Sequence, residues 1–482
     1  MTNRFYITLC ILLLGSSIWT YACEVLNPMS YGVLDAKTGM ERYNCLFACH
    51  KDAVKKNAII SYAGIERLEL EIPQNAQSIP LTHKTEFNNV VLHVLNKQKN
   101  ITLFTLYRNA LALDINQVGL YDSKFYIENF SKGNHIIIVE EQIPWTERAG
   151  YNTSAHRNDI ILLKNGLAEN DVVYQYKNLQ DVKLSYVETN KEPIAFRNIR
   201  LERDSMSTAI TNLIYIKNYD NILLENLTIN TPVNNLSSDA AISLTNCTNI
   251  KLNEVTIDGT YSQKNKSGYG VLLGNVLNIQ VRNMKAFGAW GVFGTYNVNM
   301  ATLIHCDINR FDIHCYGKDV RCYNCNFSDL YNQYSSVYGD VYYENCTFTN
   351  FIPVLIEPSY NAYTPFDLTF KTCTFNLTGK KNYFMTLSGL EEAHNQRPEL
   401  SRKALPNISI KNCTVNLTDD VKKWYVVNTG KVAYKEPLDY ISKIEIDGLT
   451  IKGNVDYKLF STELETTRPL KVVRKRVKMK NK

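Results

Sequence analysis

Apolar and polar residues alternate in short runs along most of this chain, and between residues 226 and 451 nine of the runs repeat one arrangement. A turn-forming residue, usually asparagine, is followed by an apolar, a polar and a second apolar residue. Five runs place cysteine second: His305-Cys306-Asp307-Ile308, Asn324-Cys325-Asn326-Phe327, Asn345-Cys346-Thr347-Phe348, Thr372-Cys373-Thr374-Phe375 and Asn412-Cys413-Thr414-Val415. Leu227, Val255, Met284 and Leu449 hold the same place in the other four. Successive repeats lie 19 to 40 residues apart. The shortest spacing suffices for one turn of a three-strand coil, and the longer ones leave room for loops on the same turn. The pattern predicts an all-β chain coiled as a parallel β-helix, a solenoid of short strands.

Side chains alternate faces along a strand, so Cys325 and Phe327 point one way and Asn324 and Asn326 the other. Stacked turns would bury the Cys/Phe face as a column, which suits a thiol behaving as a small hydrophobe. A disulfide or metal framework competes, prompted by Cys322-Tyr-Asn-Cys325 with Cys306 and Cys315 nearby. That spacing lacks a second CxxC or a His pair, and no metal site is expected. Asn226, Asn246, Asn345 and Asn412 each begin an Asn-x-Thr triplet, the glycosylation acceptor pattern. Asparagine at a one-residue corner between strands tolerates unusual backbone angles and bonds locally, and turn chemistry is the better account.

The pattern divides the chain. Residues 194–460 read as regular coil, with doublets such as 221–229 and 249–257 showing strand, corner, strand. Residues 58–193 read as early coil turns with loop insertions. Strand candidates there are 58–61, 68–72, 90–95, 101–106, 135–139, 160–163 and 172–176, and a polar, aromatic loop holds Trp145, Arg148, Tyr151, His156 and Arg157. Within 23–57, residues 41–57 predict an amphipathic helix with Tyr43, Leu46, Phe47 and Val54 on one side, placed to cap the open end of the coil. Cys45, Cys49 and His50 lie on that helix, and packing is their expected role. A second long insertion, between Leu387 and Asn407, holds His394, Arg397 and Arg402.

Composition adds the compartment. Arg4, an apolar run from Phe5 to Gly15 and Thr20-Tyr21-Ala22 form a secretory signal over residues 1–22, too short for a mature span. Cleavage there would leave Cys23 first, as in a bacterial lipoprotein, although Tyr21 stands where such signals favour small residues. A lipidated, membrane-attached form and a soluble exported form both stay open, in periplasm, at the cell surface or outside the cell. The net charge of +6 is modest and gathers in residues 461–482, read as a solvated basic tail. No nucleic-acid partner is expected, and no cofactor is assigned.

Residues 194–460 resemble the right-handed parallel β-helix of the pectin lyase superfamily, and Tyr31-Gly-Val-Leu-Asp35 followed by a helix resembles its N-terminal cap region. The resemblance implies polysaccharide lyases, glycosidases, epimerases and tailspike-like proteins as relatives, and a glycan as partner. The catalytic motifs of polygalacturonase-like and pectate lyase-like members are missing, apart from Asp419-Asp420, late and alone. The reaction therefore does not follow from the resemblance.

Chemistry is expected along Arg310-Phe-Asp-Ile-His-Cys-Tyr-Gly317. Alternation places Ile313 and Cys315 inward and Asp312, His314 and Tyr316 outward. With Tyr296 on the turn before and Tyr338, Asp340, Glu357 and Tyr360 on the turns after, they would form a shallow sugar-binding groove. A hydrolase would use two carboxylates from Asp312, Asp340 and Glu357. A lyase would use His314 or a tyrosine as base, with Arg310 or Arg321 offsetting a uronate carboxylate. Asp312 and His314 acting only as scaffold, or a noncatalytic glycan-binding or adhesin-like surface, are the alternatives.

Overall fold

The computed structural model describes residues 24–97, 101–121, 124–142, 146–147, 154–156, 158–172, 179–207, 210–231, 240–259, 268–287, 291–313, 315–328, 331–334, 337–356, 366–378, 383–387, 406–428, 443–461 and 469–480. The signal segment with Cys23, the loop residues Trp145, Arg148, Tyr151 and Arg157, strand candidate 173–176 and the insertion with His394, Arg397 and Arg402 lie outside them.

Strands wind into a parallel coil in which each turn pairs with the next and carries three faces, numbered in chain order, as in 240–245, 248–253 and 255–258 of one turn. On the third face, rung follows rung in unbroken parallel register from Leu227↔Val255 through Asn326↔Thr347, Thr347↔Thr374 and Thr374↔Thr414 to Cys413↔Leu449. The corner before it is a single left-handed residue on turn after turn: Asn198, Asn226, Glu254, Asn283, His305, Asn324, Asn345, Thr372 and Asn412 have φ between 50° and 60°. Asparagine tolerates that region better than other L residues. Its amides also chain between rungs: Asn226 Nδ2 donates to Asn198 Oδ1 at 2.7 Å, and Asn345 donates to Asn324. Turn chemistry thus accounts for the Asn-x-Thr triplets.

The predicted column is present. Cys306, Cys325, Cys346, Cys373 and Cys413 are each at most 1% exposed and stand on successive turns, since the amide after each of the last four donates to the carbonyl of the cysteine below. All are free thiols. Each also donates to the carbonyl two residues back across the corner, as Cys346 Sγ does to Glu344 O at 3.4 Å. A leucine could fill the space but not serve that carbonyl. Behind the thiols, Phe327, Phe348 and Phe375 stack at 5.2 and 4.9 Å between centroids, with rings within 9° of parallel.

Helix α1 (Gly39–Lys56) starts in a capping box of Thr38 and Glu41 and ends at left-handed Asn57. It lies against the first-turn strands Ile59–Ser61, Arg67–Ile72 and Ile79–Pro80. At Gly39 a side chain would meet Glu71 N at 2.7 Å, so the helix enters at backbone contact. Tyr43, Leu46, Cys49, His50 and Ala53 are buried. Val54, predicted on that side, is 50% exposed. His50 is wholly buried: Nδ1 donates to Pro80 O at 2.9 Å and Nε2 accepts from Tyr62 OH at 2.8 Å. Burial lowers its imidazole to about 4.

Two segments differ from expectation. Among the described residues of 58–193, the coil strands end at Tyr107. Described strands between Leu111 and Glu188 instead form a seven-stranded antiparallel sheet, with Thr146–Glu147 and Ser154–Ala155 as a separate pair, inserted between Ile101–Tyr107 and Ile194–Arg203. Both of its sides are apolar. Ile137, Val139, Ile161 and Leu163 pack under Phe130, while Ile136, Ile138 and Ile160 dock on Leu277 of the coil. The second difference is the basic tail. Lys471–Lys475 and Lys478–Lys480 are one more rung, parallel to Lys443–Lys452, with Arg476 at the left-handed corner bound to Asp447 at 2.7 Å. Main-chain pairing places these lysines although nearly all their side chains are exposed.

Candidate functional site

The predicted groove does not assemble. Arg310 and Asp312 are both fully buried, form an ion pair inside the coil, and so correct the outward placement. The physical reason is that residues 310–313 run inside the coil as isolated bridges, Phe293 to Phe311 and Ile313 to Tyr334, rather than as an alternating strand. Phe311 and Ile313 are also fully buried. Arg310 Nη2 donates to Gln333 Oε1 at 2.8 Å and its guanidinium lies 4.4 Å from the Tyr331 ring centre. Asp312 Oδ1 accepts from Gln333 N at 2.9 Å. Burial raises the Asp312 carboxyl to about 6, against the pull of Arg310. Asn332 continues the network, accepting from Phe311 N at 2.8 Å and donating to Tyr343 OH at 2.9 Å.

The other predicted residues are dispersed. Tyr296, 46% exposed, ends a first-face strand, whereas Tyr338 and Asp340 lie on the second face. Asp340 is exposed, its amide donates to Asp319 Oδ1 at 2.9 Å, and its carboxylate stands 3.5 Å from Arg321. An exposed pair of this kind contributes little. His314, Glu357 and Tyr360 lie outside the described residues, as does the side chain of Tyr316.

A different constellation is built by register on the third face. Glu69 stands beside His93, His93 beside Glu202, Glu202 beside Asn230, Asn230 beside Asp258 and Asp258 beside Phe287. These are outward positions. Leu68, Leu70, Leu92, Val94, Leu201, Ile229 and Ile257, which alternate with them, are buried. The row therefore presents one polar side chain per rung, ~4.8 Å apart, and ends on the exposed ring of Phe287. A depression of about 430 Å³ lies over it between His93 and Asp258, with Arg203, Ser205 and Thr231 in its wall.

The charges at Glu69, His93 and Glu202 are paired. His93 Nδ1 is hydrogen-bonded to Glu69, and its Nε2 lies 3.5 Å from Asp204 Oδ2. Arg67 reaches Glu69 at 2.6 Å and Glu202 at 3.0 Å, and Arg200 reaches Glu202 at 2.8 Å. Partial burial works to raise the Glu69 carboxyl, but the hydrogen bonds from Arg67 and His93 outweigh it and hold the group below its ordinary range. The arrangement offers fixed acceptors and guanidinium donors along the coil axis, closed by an aromatic face. A polyhydroxylated chain lying along the axis could use all three. The sequence carried a signal for it: His93, Glu202, Asn230, Asp258 and Phe287 each stand four residues after a left-handed corner, at Asn89, Asn198, Asn226, Glu254 and Asn283.

No protein-family model matches the chain, and no curated protein sequence matches it. In structure the chain is similar to the tailspike protein gp49 from Pseudomonas phage LKA1, with a TM-score of 0.62 at 12% identity over 94% of this chain and 81% of that one. It is also similar to the gp54 tailspike of Acinetobacter baumannii bacteriophage AP22, solved in complex with A. baumannii capsular saccharide (TM-score 0.47, 12% identity, 90% and 79% covered). A third is the Yersinia enterocolitica Family 28 exopolygalacturonase (TM-score 0.40, 11% identity, 95% and 78% covered). The fold is that of the pectin lyase-like right-handed parallel β-helices. At these identities the likeness extends to the fold alone.

Proposed function

We propose that this chain is an exported glycan-recognising β-helix and that the third-face row from Glu69 to Phe287 is its sugar-contacting surface. The observation supporting this reading is the stacking of five polar side chains and one exposed aromatic ring in strict register along one face. Carboxylates and amides accept hydrogen bonds from sugar hydroxyls, arginines donate to ring and exocyclic oxygens, and an aromatic face covers the apolar side of a pyranose. Helix α1 serves as the cap of the coil in this reading, and residues 1–22 serve as the export signal, with Cys23 as the candidate lipid anchor.

A hydrolase is the second reading, favoured by one observation. Glu202 and Asp258 stand two rungs apart on the same face, roughly 9–10 Å by strand spacing, near the upper end of an inverting pair.

The test is incubation of the purified protein with uronate-containing and neutral glycans, reading unsaturated-uronide absorbance, new reducing ends and retained ligand. Binding or turnover is expected in the parent and lost in Asp258→Asn and Phe287→Ala, with melting temperatures unchanged. Full retention in both variants would move the function away from this face.

A further inference from the structure

A second cleft, of about 680 Å³, opens where the inserted sheet leaves and rejoins the coil. It is lined on the coil side by His83, Lys84, Arg108 and Arg197 and on the returning segment by Lys191 and Glu192. Lys84 and Arg197 belong to second-face strands, and the Asn198 corner separates them from the row that contains Glu202. The cleft is therefore a different place from the proposed glycan surface.

Its chemistry is set by Arg108. The guanidinium lies 4.0 Å from the ring centre of Tyr219, Nε donates to Asn218 O at 3.1 Å, and the Asn218 amide donates back to Arg108 O. Stacking and these bonds fix the plane of the fork before any ligand arrives. Nη2 is buried and has no hydrogen-bond partner among the described residues. Arg197 is matched by Glu225 at 3.0 Å, whereas Lys84 and Lys191 make no ion pair among the described residues. Glu192 is the one carboxylate in the described lining of the cleft, and Glu188 and Asp220 act on Arg108 only through space. Burial lowers the Arg108 guanidinium, and burial, with Arg108 beside it, lowers the His83 imidazole. A partly desolvated cation held in a fixed plane, with no ion pair to a carboxylate among the described residues, is a site short of an anion.

We infer that this cleft binds a small oxyanion-bearing molecule, with Arg108 gripping a carboxylate, sulfate or phosphate group and Lys84 and Lys191 closing over it. The molecule belongs to the oxyacid class, and the test separates its forms. Calorimetric titration of the full chain with glucuronate, sodium sulfate, inorganic phosphate and, as the neutral counterpart, glucose should show saturable binding of an anion and none of glucose. Glucuronate alone would identify a carboxylated ligand, and sulfate or phosphate alone a tetrahedral one. Arg108→Gln should weaken binding roughly tenfold or more, the loss of a charged hydrogen bond. Because that change also removes the Tyr219 stack, the double variant Lys84→Gln, Lys191→Gln is the control that leaves the stack intact, and several-fold weakening is expected. Absence of saturable binding by any of the three anions, or unchanged affinity in both variants, would overturn the inference.

Discussion

Replacing Asp312 with alanine separates a scaffold residue from a catalytic one. The substitution takes the Asp312 carboxylate from the wholly buried Arg310 guanidinium, whose other contacts include Gln333 Oε1 and the Tyr331 ring, and it takes from Gln333 N its acceptor at 2.9 Å. Breaking one side of a buried ion pair costs about 3–5 kcal/mol, and the orphaned amide adds about 1 kcal/mol or more. Removing both charges in Arg310→Met, Asp312→Leu should restore most of the ion-pair part of that loss, because an apolar pair of similar volume leaves no buried charge behind. The assay is urea unfolding followed by far-ultraviolet circular dichroism on the parent, the single and the double variant, with glycan binding measured on the same samples. Binding should survive in the double variant, since neither side chain reaches the surface. A single variant within about 0.5 kcal/mol of the parent, as for an ordinary surface change, or a double variant no better than the single, would refute the account.

Three further outcomes are expected. Phe348→Ala, which breaks the Phe327–Phe348–Phe375 stack at its middle, should cost about 3–5 kcal/mol, and a melting curve like the parent's would contradict it. Cys346→Asp should prevent the coil from forming by placing an unpaired charge in the column, while Cys346→Ser should fold because its hydroxyl can serve the Glu344 carbonyl; circular dichroism of the two proteins decides. His50, held at about 4 in the fold against an ordinary 6.5, stabilises the neutral form. Its contribution is complete above pH 6.5 and is lost as pH falls through 4, about 3 kcal/mol in all, so His50→Gln should flatten the acid limb of a stability-against-pH profile.

The cysteine column was legible because one residue type recurs at one step after a corner, and alternation then fixes its face: Cys325 and Phe327 could only point together. The same rule misplaced Asp312, since alternation holds for a paired strand and residues 310–313 are threaded through the interior with apolar Phe311 and Ile313 as deeply buried as their charged neighbours. The inserted sheet escaped notice for a related reason. Ile136 and Ile137 are both buried, on opposite sides, and a doubly buried run reads the same in an antiparallel sheet as in a coil. Residues 471–480 read as a tail because charge hides a pairing that main-chain hydrogen bonds alone supply. The third-face row was hidden by spacing: Glu69 and Asp258 meet one surface only once the intervening turns are registered.

The rung at 471–480 also gives the molecule a direction. In a stack whose units touch only their neighbours, stability passes from rung to rung. The first turns are held by α1 and, at Leu277, a middle turn by the inserted sheet. The 471–480 rung rests on a single described neighbour, with Val472 38% and Met479 47% exposed. Fraying therefore starts there and travels inward, so amide exchange and proteolytic nicking should be fastest at 471–480 and slow progressively toward the thiol column.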